Sequence, residues 1–218
     1  MEIKYLGHAS FLIKTKSADV VIDPFGPSSG LKFPKTKADI VLVSHNHDDH
    51  NYVKGIEGDP VVFDWPGEYD CRGVALRGFS TFHDGAHGAE RGTNVMFKLT
   101  TEQMSVLHCG DLGHMLDDKL IDEIGNVDIL CIPVGGYYTI DHQVALQLTK
   151  KIDPALVLPM HFARPGLDTK IAQHLKPVYE FLQAIGQSGA TPQPKLAIKR
   201  EEVIQETNTK VVLLESAV

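Results

Sequence analysis

An abrupt change of character at residue 44 dictates much of what this chain can become. Ile40-Val41-Leu42-Val43 is continuously apolar, and Ser44-His45-Asn46-His47-Asp48-Asp49-His50 follows without one apolar side chain. A short apolar run of this kind reads as a strand buried on both faces. The polar run is then a loop at the carboxyl end of that strand, where sites are commonly built. His45, His47, Asp49 and His50 place four potential metal ligands within six residues, and imidazole and carboxylate both suit zinc-like ions. In a regular strand, residues 45, 47 and 49 would share one face and residue 50 the other. A tight loop would instead divide the four into two pairs, one per metal. A solvated His-rich loop and a single mononuclear site are the two simpler readings.

Composition narrows the function class. Eleven histidines in 218 residues is a high count, and their spread is uneven. With 43% hydrophobic and 22% charged residues, the chain reads as a soluble globular protein, and its length suits one domain, 1–218. A net charge of −7 argues against a broad polyanion-binding surface, so no nucleic-acid partner is expected. One phosphate or carboxylate can still be bound locally. No apolar run approaches the roughly 20 residues of a membrane span, and Met1–Tyr5 begins in strand-like alternation rather than an apolar leader. Cys71, Cys109 and Cys131 are odd in number and form no CxxC pair. This favours a reducing, cytoplasmic setting over a disulfide framework, with each Cys a small buried residue.

Short strands separated by turns fill the first two-thirds: Glu2–Leu6, Ser10–Lys14, Val20–Ile22, Ile40–Val43, Val61–Asp64, Val74–Phe82, Val95–Leu99 and Ser105–His108. Thr100-Thr101-Glu102-Gln103 reads as a hairpin connection. Helices then alternate with strands. Leu116, Leu120, Ile121 and Ile124 form a helical stripe ended by Gly125-Asn126. Asp128–Pro133, Ala155–Pro159 and Val211–Leu214 are strands, and Gln143–Ile152 is a helix with Asp141 as its cap. Ala172–Ile185 is helical, with Pro177 starting, breaking or kinking it. The order suggests two packed sheets under outer helices.

His45-x-His47-x-Asp49-His50 resembles the HxHxDH motif of the metallo-β-lactamase superfamily. Three later elements resemble that family's remaining ligands: His83 in Ser80-Thr81-Phe82-His83-Asp84, Asp111 in Cys109-Gly110-Asp111-Leu112-Gly113, and His161 in Leu158-Pro159-Met160-His161-Phe162. The motifs occur in the family's order and cover nearly the whole chain. The resemblance implies an α/β (α+β) fold, a four-layer αββα sandwich of two mixed sheets with outer helices. It implies two divalent ions, zinc expected, with manganese and iron as alternatives. Metal one would take His45, His47 and His83, metal two Asp49, His50 and His161, with Asp111 bridging. Tyr5-Leu6-Gly7-His8-Ala9-Ser10, Val21-Ile22-Asp23-Pro24-Phe25, Trp65-Pro66-Gly67-Glu68-Tyr69 and Pro133-Val134-Gly135-Gly136 resemble the branch of small metal-dependent hydrolases that includes the L-ascorbate-6-phosphate lactonases.

The implied chemistry is hydrolysis by a hydroxide shared between two metals, which lower the pKa of water towards about 7. Asp49 would also accept a proton, and water or His114 would protonate the leaving group. The expected substrate is a small metabolite, anionic in one version, cleaved at an ester, lactone or similar bond. Phosphodiester hydrolysis by the same metals is the alternative enzyme, and a metal-binding protein without turnover is the alternative class. A flavodiiron-like role needs a flavin domain, which this sequence does not show. The long inserted domain of the superfamily's RNA-processing nucleases is missing too. Self-association stays open.

The other histidines divide more evenly. His8 either supports the metal ligands from behind, lies at the substrate mouth, or is a hydrogen-bonded structural histidine. Asp23 either orients a metal-bound His through its second nitrogen or serves a turn. His87, Arg91, His114 and Tyr137 are the candidate substrate contacts; Arg91 would bind an anion bidentately, against the simpler reading of a surface Arg. Packing is the simpler reading for Tyr137 and Tyr138. His108 reads as a core histidine, and His142 and His174 as solvent-facing.

Overall fold

The computed structural model describes residues 1–205 and 208–218. Its strands are β1 (Glu2–Gly7), β2 (Ser10–Lys14), β3 (Asp19–Ile22), β4 (Thr36–Lys37), β5 (Ile40–Leu42), β6 (Ile56–Glu57), β7 (Val61–Phe63), β8 (Gly67–Cys71), β9 (Val74–Phe82), β10 (Thr93–Thr101), β11 (Met104–His108), β12 (Ile129–Pro133), β13 (Leu156–Met160), β14 (Leu196–Ala197) and β15 (Lys210–Val211). The α-helices are α1 (Asp118–Ile124), α2 (His142–Ile152), α3 (Thr169–Ala172), α4 (Val178–Ala184) and α5 (Arg200–Gln205). One sheet runs β14-β1-β2-β3-β5-β7 and the other β15-β13-β12-β11-β10-β9-β8, with β4 and β6 paired separately. Both large sheets are mixed. β1, β2 and β3 pair antiparallel before β5 and β7 continue in parallel. β8 to β11 form an antiparallel meander, and β12, β13 and β15 add in parallel.

Side-chain alternation explains how the layers stack. From the first sheet, Ile3, Tyr5, Phe11, Ile13, Val20, Ile22, Ile40 and Leu42 enter one core with Phe97, Leu99, Val106 and Ile129 of the second. Their strand neighbours Leu6, Leu12, Val21, Val41 and Val43 point the other way and pack with Phe25, Leu31 and Leu167. Burial on both faces is why Ile40–Val43 shows no polar alternation. Each such buried aliphatic or aromatic side chain contributes about 1.5–3 kcal/mol. Ile124 of α1, Ala145 and Leu148 of α2, and Phe181 and Leu182 of α4 join the main core. The layer outside the first sheet is thinner: single 3₁₀ turns at Pro27–Ser29 and Val53–Gly55, and the four residues of α3.

Aspartate caps start two helices, the Asp141 cap as read from the sequence and the Asp117 cap not read there. The Asp141 carboxylate accepts from the Gln143 and Val144 amides at the start of α2, and that of Asp117 accepts from the Leu120 amide at the start of α1. Of the expected helix 172–185, Val178–Ala184 forms α4, started by Pro177 as N-cap, while Ala172 ends the separate α3 and residues 173–176 are not helical. Proline has no amide hydrogen to donate and pushes the residue before it towards extended backbone. Lys176 accordingly donates to Gly135 O and accepts from Ala163 N, each at 2.8–2.9 Å. The last strand is Lys210–Val211 rather than 211–214, with Leu214 in a lone bridge to Gln193. The expected hairpin turn at 100–103 is present, centred on Glu102 and Gln103, both at positive φ.

Candidate metal centre

The site forms where strand ends of both sheets meet. β5 runs into the loop carrying His45 to His50. β9 ends just before His83, β11 three residues before Asp111, and β13 just before His161. All seven residues picked from the sequence come together. The His45 ring centroid lies 4.5, 4.3 and 4.7 Å from those of His47, His50 and His83. Asp111 Oδ2 lies 3.3 Å from His50 Nε2, 3.4 Å from His83 Nε2 and 3.2 Å from His161 Nε2. Asp49 Oδ2 is 4.0 Å from His50 Nε2. Three trios, His45–His47–His83, His45–His50–Asp111 and His8–His50–His161, each hold ligand atoms within 4.8 Å of one another. His47 is exposed and Asp49 half-buried, so the cluster opens on that side.

Hydrogen bonds behind the cluster aim its nitrogens inward. Asp23, fully buried at the end of β3, accepts from Ser44 N at 2.7 Å, Ser44 Oγ at 2.7 Å and His50 Nδ1 at 3.0 Å. Because the Ser44 hydroxyl donates to Asp23, it accepts from His45 Nδ1 at 2.9 Å. Both imidazoles therefore carry their proton on Nδ1 when neutral and present the Nε2 lone pair to the centre, the role expected of a ligand's outer partner. Asn94 does the equivalent for Asp111. Its Oδ1 accepts from Asp111 N at 2.9 Å, while its Nδ2 donates to Thr81 Oγ1 and Cys109 O. His108 bridges Ala9 O and Gly110 N and is a structural core histidine. Gly110 is required for two reasons: its φ is +55°, and a Cβ there would stand 2.3 Å from Asn94 Oδ1. A Cβ on Gly135 would stand 2.2 Å from His161 O.

The electrostatics are those of a centre short of positive charge. Burial drives His45 down to about 3, with the His50 charge adding to it. His50 goes the other way: burial opposes its protonation, but the Asp111, Asp49 and Asp23 carboxylates raise it well above the usual imidazole range. Burial would raise Asp111, yet His161 and His50 hold it far below the usual carboxylate range. His45 Nε2, His50 Nε2, His83 Nδ1, His161 Nδ1 and Asp111 Oδ1 are buried without a hydrogen-bond partner. Orphaned polar atoms at this density are costly in a protein interior, and a divalent cation is a group whose chemistry matches them.

A cavity of about 300 Å³ opens over the cluster, lined by His47, Asp49, His83, Arg91, Asp111, Tyr138, His161 and Ile171. The Arg91 guanidinium lies 5.9 Å from the ring centroids of both Tyr137 and Tyr138. Tyr137 is largely exposed and stacks on exposed His174 at 4.1 Å. The loop carrying Arg91 is organised by Asp84, whose carboxylate accepts from the amides of Ala86, Gly88, Glu90 and Arg91. Burial opposes ionisation there, and the four amides lower Asp84 to about 2. His87 is exposed against Phe82, outside the cavity lining. His142 faces Glu180 at 3.4 Å. His114 also lies outside the lining. Its Nε2 accepts from Phe82 N and its Nδ1 donates to Met115 O, so this geometry lends no support to a proton-donor role.

His8 and Asp23 are the two residues whose roles the sequence left divided. Asp23 orients His50, as described. His8 is buried inside the cluster rather than at its mouth. Their signal in the sequence was faint: a histidine after Gly7 and an aspartate before Pro24. Asn94 and Asp84 carried no metal-site signal of their own.

Fold and site together define a class, two-sheet proteins with a histidine- and carboxylate-rich centre at their strand ends. A family model described as the beta-lactamase superfamily domain matches residues 2–161. The chain belongs to the metallo-β-lactamase superfamily. It is 32% identical over 194 residues to a metal-dependent hydrolase of Pelotomaculum thermopropionicum, covering 74% of this chain and 84% of the relative. A Carboxydothermus hydrogenoformans protein of the same description is 28% identical over 193 residues, with the same coverage. Among solved structures, a metallo-beta-lactamase superfamily protein of Thermotoga maritima superposes with a TM-score of 0.79 at 32% identity, covering 99% of this chain and 98% of that one.

Proposed function

We propose that this protein is a metal-dependent hydrolase that holds two divalent ions and cleaves an ester, lactone or similar bond of a small metabolite. His45, His47 and His83 would hold one ion, Asp49, His50 and His161 the other, and Asp111 both. The observation that carries the reading is the convergence of the Nε2 atoms of His50, His83 and His161 on Asp111 Oδ2, 3.2–3.4 Å away, beside the buried and partnerless His45 Nε2, His50 Nε2 and Asp111 Oδ1. When bound, such ions lower the pKa of a coordinated water towards about 7 and polarise the oxygen of the scissile group. Zinc fits the imidazole-rich donors, with manganese and iron as alternatives.

The chain's own groups supply the rest. Asp49 faces the cavity and is the acceptor for a proton leaving the attacking water. His50 and His8 hold its pKa well below the usual carboxylate range against the effect of burial, so it keeps that proton only briefly. Arg91, Tyr138 and Ile171 line the side away from the ligands and bind the rest of the substrate. An arginine there favours a substrate bearing a carboxylate or phosphate, in keeping with the likeness to the L-ascorbate-6-phosphate lactonases. It also keeps phosphodiester hydrolysis as the second reading.

Elemental analysis of the purified protein is expected to find close to two ions per chain, and the double variant His47→Ala, Asp111→Asn to lose them. Full occupancy in that variant would overturn the ligand assignment. Lactone, thioester and 4-nitrophenyl phosphodiester substrates separate the two hydrolytic readings. Occupied metal sites without turnover on any of them would favour a binding protein.

A further inference from the structure

We propose that His8 is an additional ligand of the second metal position, through Nε2, so that three imidazoles, His8, His50 and His161, meet there. The inference rests on the two-metal reading above and adds a residue outside the seven carried by the motifs.

His8 occupies the turn between β1 and β2 at φ +54°, a conformation uncommon for a residue with a side chain. That backbone is pinned on both sides: the His8 carbonyl accepts from Tyr5 Oη at 2.6 Å and from His161 N at 2.9 Å. A pinned, unfavourable backbone at a binding centre commonly exists to aim a side chain. Here it places the ring inside the cluster, its centroid 4.4 Å from that of His161 and 5.0 Å from that of His50. The ring is fully buried. Its Nε2 lies 3.1 Å from Asp49 Oδ2, and its Nδ1 has no partner.

Two roles compete. As a donor, Nε2–H would only hold the Asp49 carboxylate. As a ligand, the Nε2 lone pair would join His50 and His161, with which His8 forms a trio whose ligand atoms lie within 4.8 Å of one another. The second role matches the burial and the aim of the ring. It has two chemical consequences. A three-imidazole position favours zinc or iron over manganese, which prefers oxygen ligands. Asp49, no longer needed to complete that position, is free to take a proton.

His8→Asn separates the roles. Asparagine tolerates the left-handed backbone, and its amide can still donate to Asp49, but it is no imidazole. Zinc titration of the metal-free protein and the visible spectrum of the cobalt-loaded protein are the readouts. Wild type is expected to bind two ions. In His8→Asn the second site should weaken by more than the roughly 10–100-fold typical of an outer hydrogen-bond partner, and one cobalt spectrum should change while the other persists. Two ions at wild-type affinity with unchanged cobalt bands would overturn the proposal and leave His8 as a donor to Asp49. A wild-type stoichiometry of one would refute the two-metal reading instead. The His8 claim would then stand only if His8→Asn weakens that single ion. If the variant does not fold, zinc anomalous diffraction from wild-type crystals decides. Nε2 at about 2.0–2.1 Å from zinc supports ligation, whereas a retained hydrogen bond to Asp49 refutes it.

Discussion

Single residues set the chemistry through their second hydrogen bond. Asp23 touches no substrate space, yet its two oxygens align His50 directly and His45 through Ser44. Asp23→Asn turns one of the two acceptor oxygens into a donor, and zinc affinity is expected to fall about 10–100-fold, read by competition with a chromophoric chelator. Protonation acts on the same residues. Burial holds His8 at about 4 and His45 at about 3, and lowers His83 and His108 as well. Between pH 6.5 and about 4 the unfolded chain therefore binds more protons at these histidines than the folded one, and stability falls as pH falls. His50, raised above its usual value, works in the opposite direction. With four histidines against one, the metal-free protein should melt at progressively lower temperature from pH 6.5 down to pH 4. A flat profile there would contradict these shifts. The seven residues that meet in the candidate site were legible because HxHxDH is contiguous and the later three sit beside Gly110 or at strand ends. The roles of His8 and Asp23 stayed divided at the sequence level, since their partners, Asp49 and His50, lie 41 and 27 residues away along the chain.

Secondary-structure elements show the same divide between local and distant causes. Helices α1 and α2 were readable because an apolar stripe and a capping aspartate are local signals. Pro177 starts α4, one of the roles read from the sequence, whereas the helical reading of 173–176 failed because Lys176 is held by Gly135 and Ala163, a tertiary constraint added to the local effect of Pro177. β8 was unread because Gly67-Glu68-Tyr69-Asp70-Cys71 is poor in strand-forming residues. It is held as a strand by pairing with β9 through a two-residue turn at Arg72-Gly73, both at positive φ, as in a type I′ hairpin. The 84–91 loop is the element most open to test. Asp84→Ala leaves four amides without their acceptor and should loosen the loop that carries Arg91. Faster proteolysis between residues 84 and 91 is expected, together with a KM for anionic substrates that rises more than kcat falls. Unchanged proteolysis would show that the loop is held by other contacts.

At the scale of the whole molecule, the two sheets are joined by one apolar core and by one cluster of like-minded polar groups. Bound ions should therefore hold the sheets together. At a thousandfold excess over Kd each site contributes about 4 kcal/mol, and in a protein of this size each site should raise Tm by about 8–16 °C. Chelation is expected to lower Tm by that amount per ion, and re-addition of zinc to restore it. A chelator-insensitive Tm would mean that the centre forms no cross-link. The two-sheet plan was legible from the order of strand-like and helix-like segments. The thin layer of 3₁₀ turns and α3 over the first sheet was not, because Leu31, Leu167 and Leu175 reach that face from irregular chain.

His45 to His50 follow a strand of one sheet, whereas His83, Asp111 and His161 follow strands of the other. Neither sheet alone owns a complete set of donors. During refolding, tight metal capture has to wait until sequence-distant segments, as far apart as residues 45 and 161, have been brought side by side, and long-range closures of this kind are among the slower events in folding. The centre is thus a built-in clock. Cobalt colour developing in step with the last phase of refolding, rather than with the early gain of secondary structure, would time the docking of one sheet on the other.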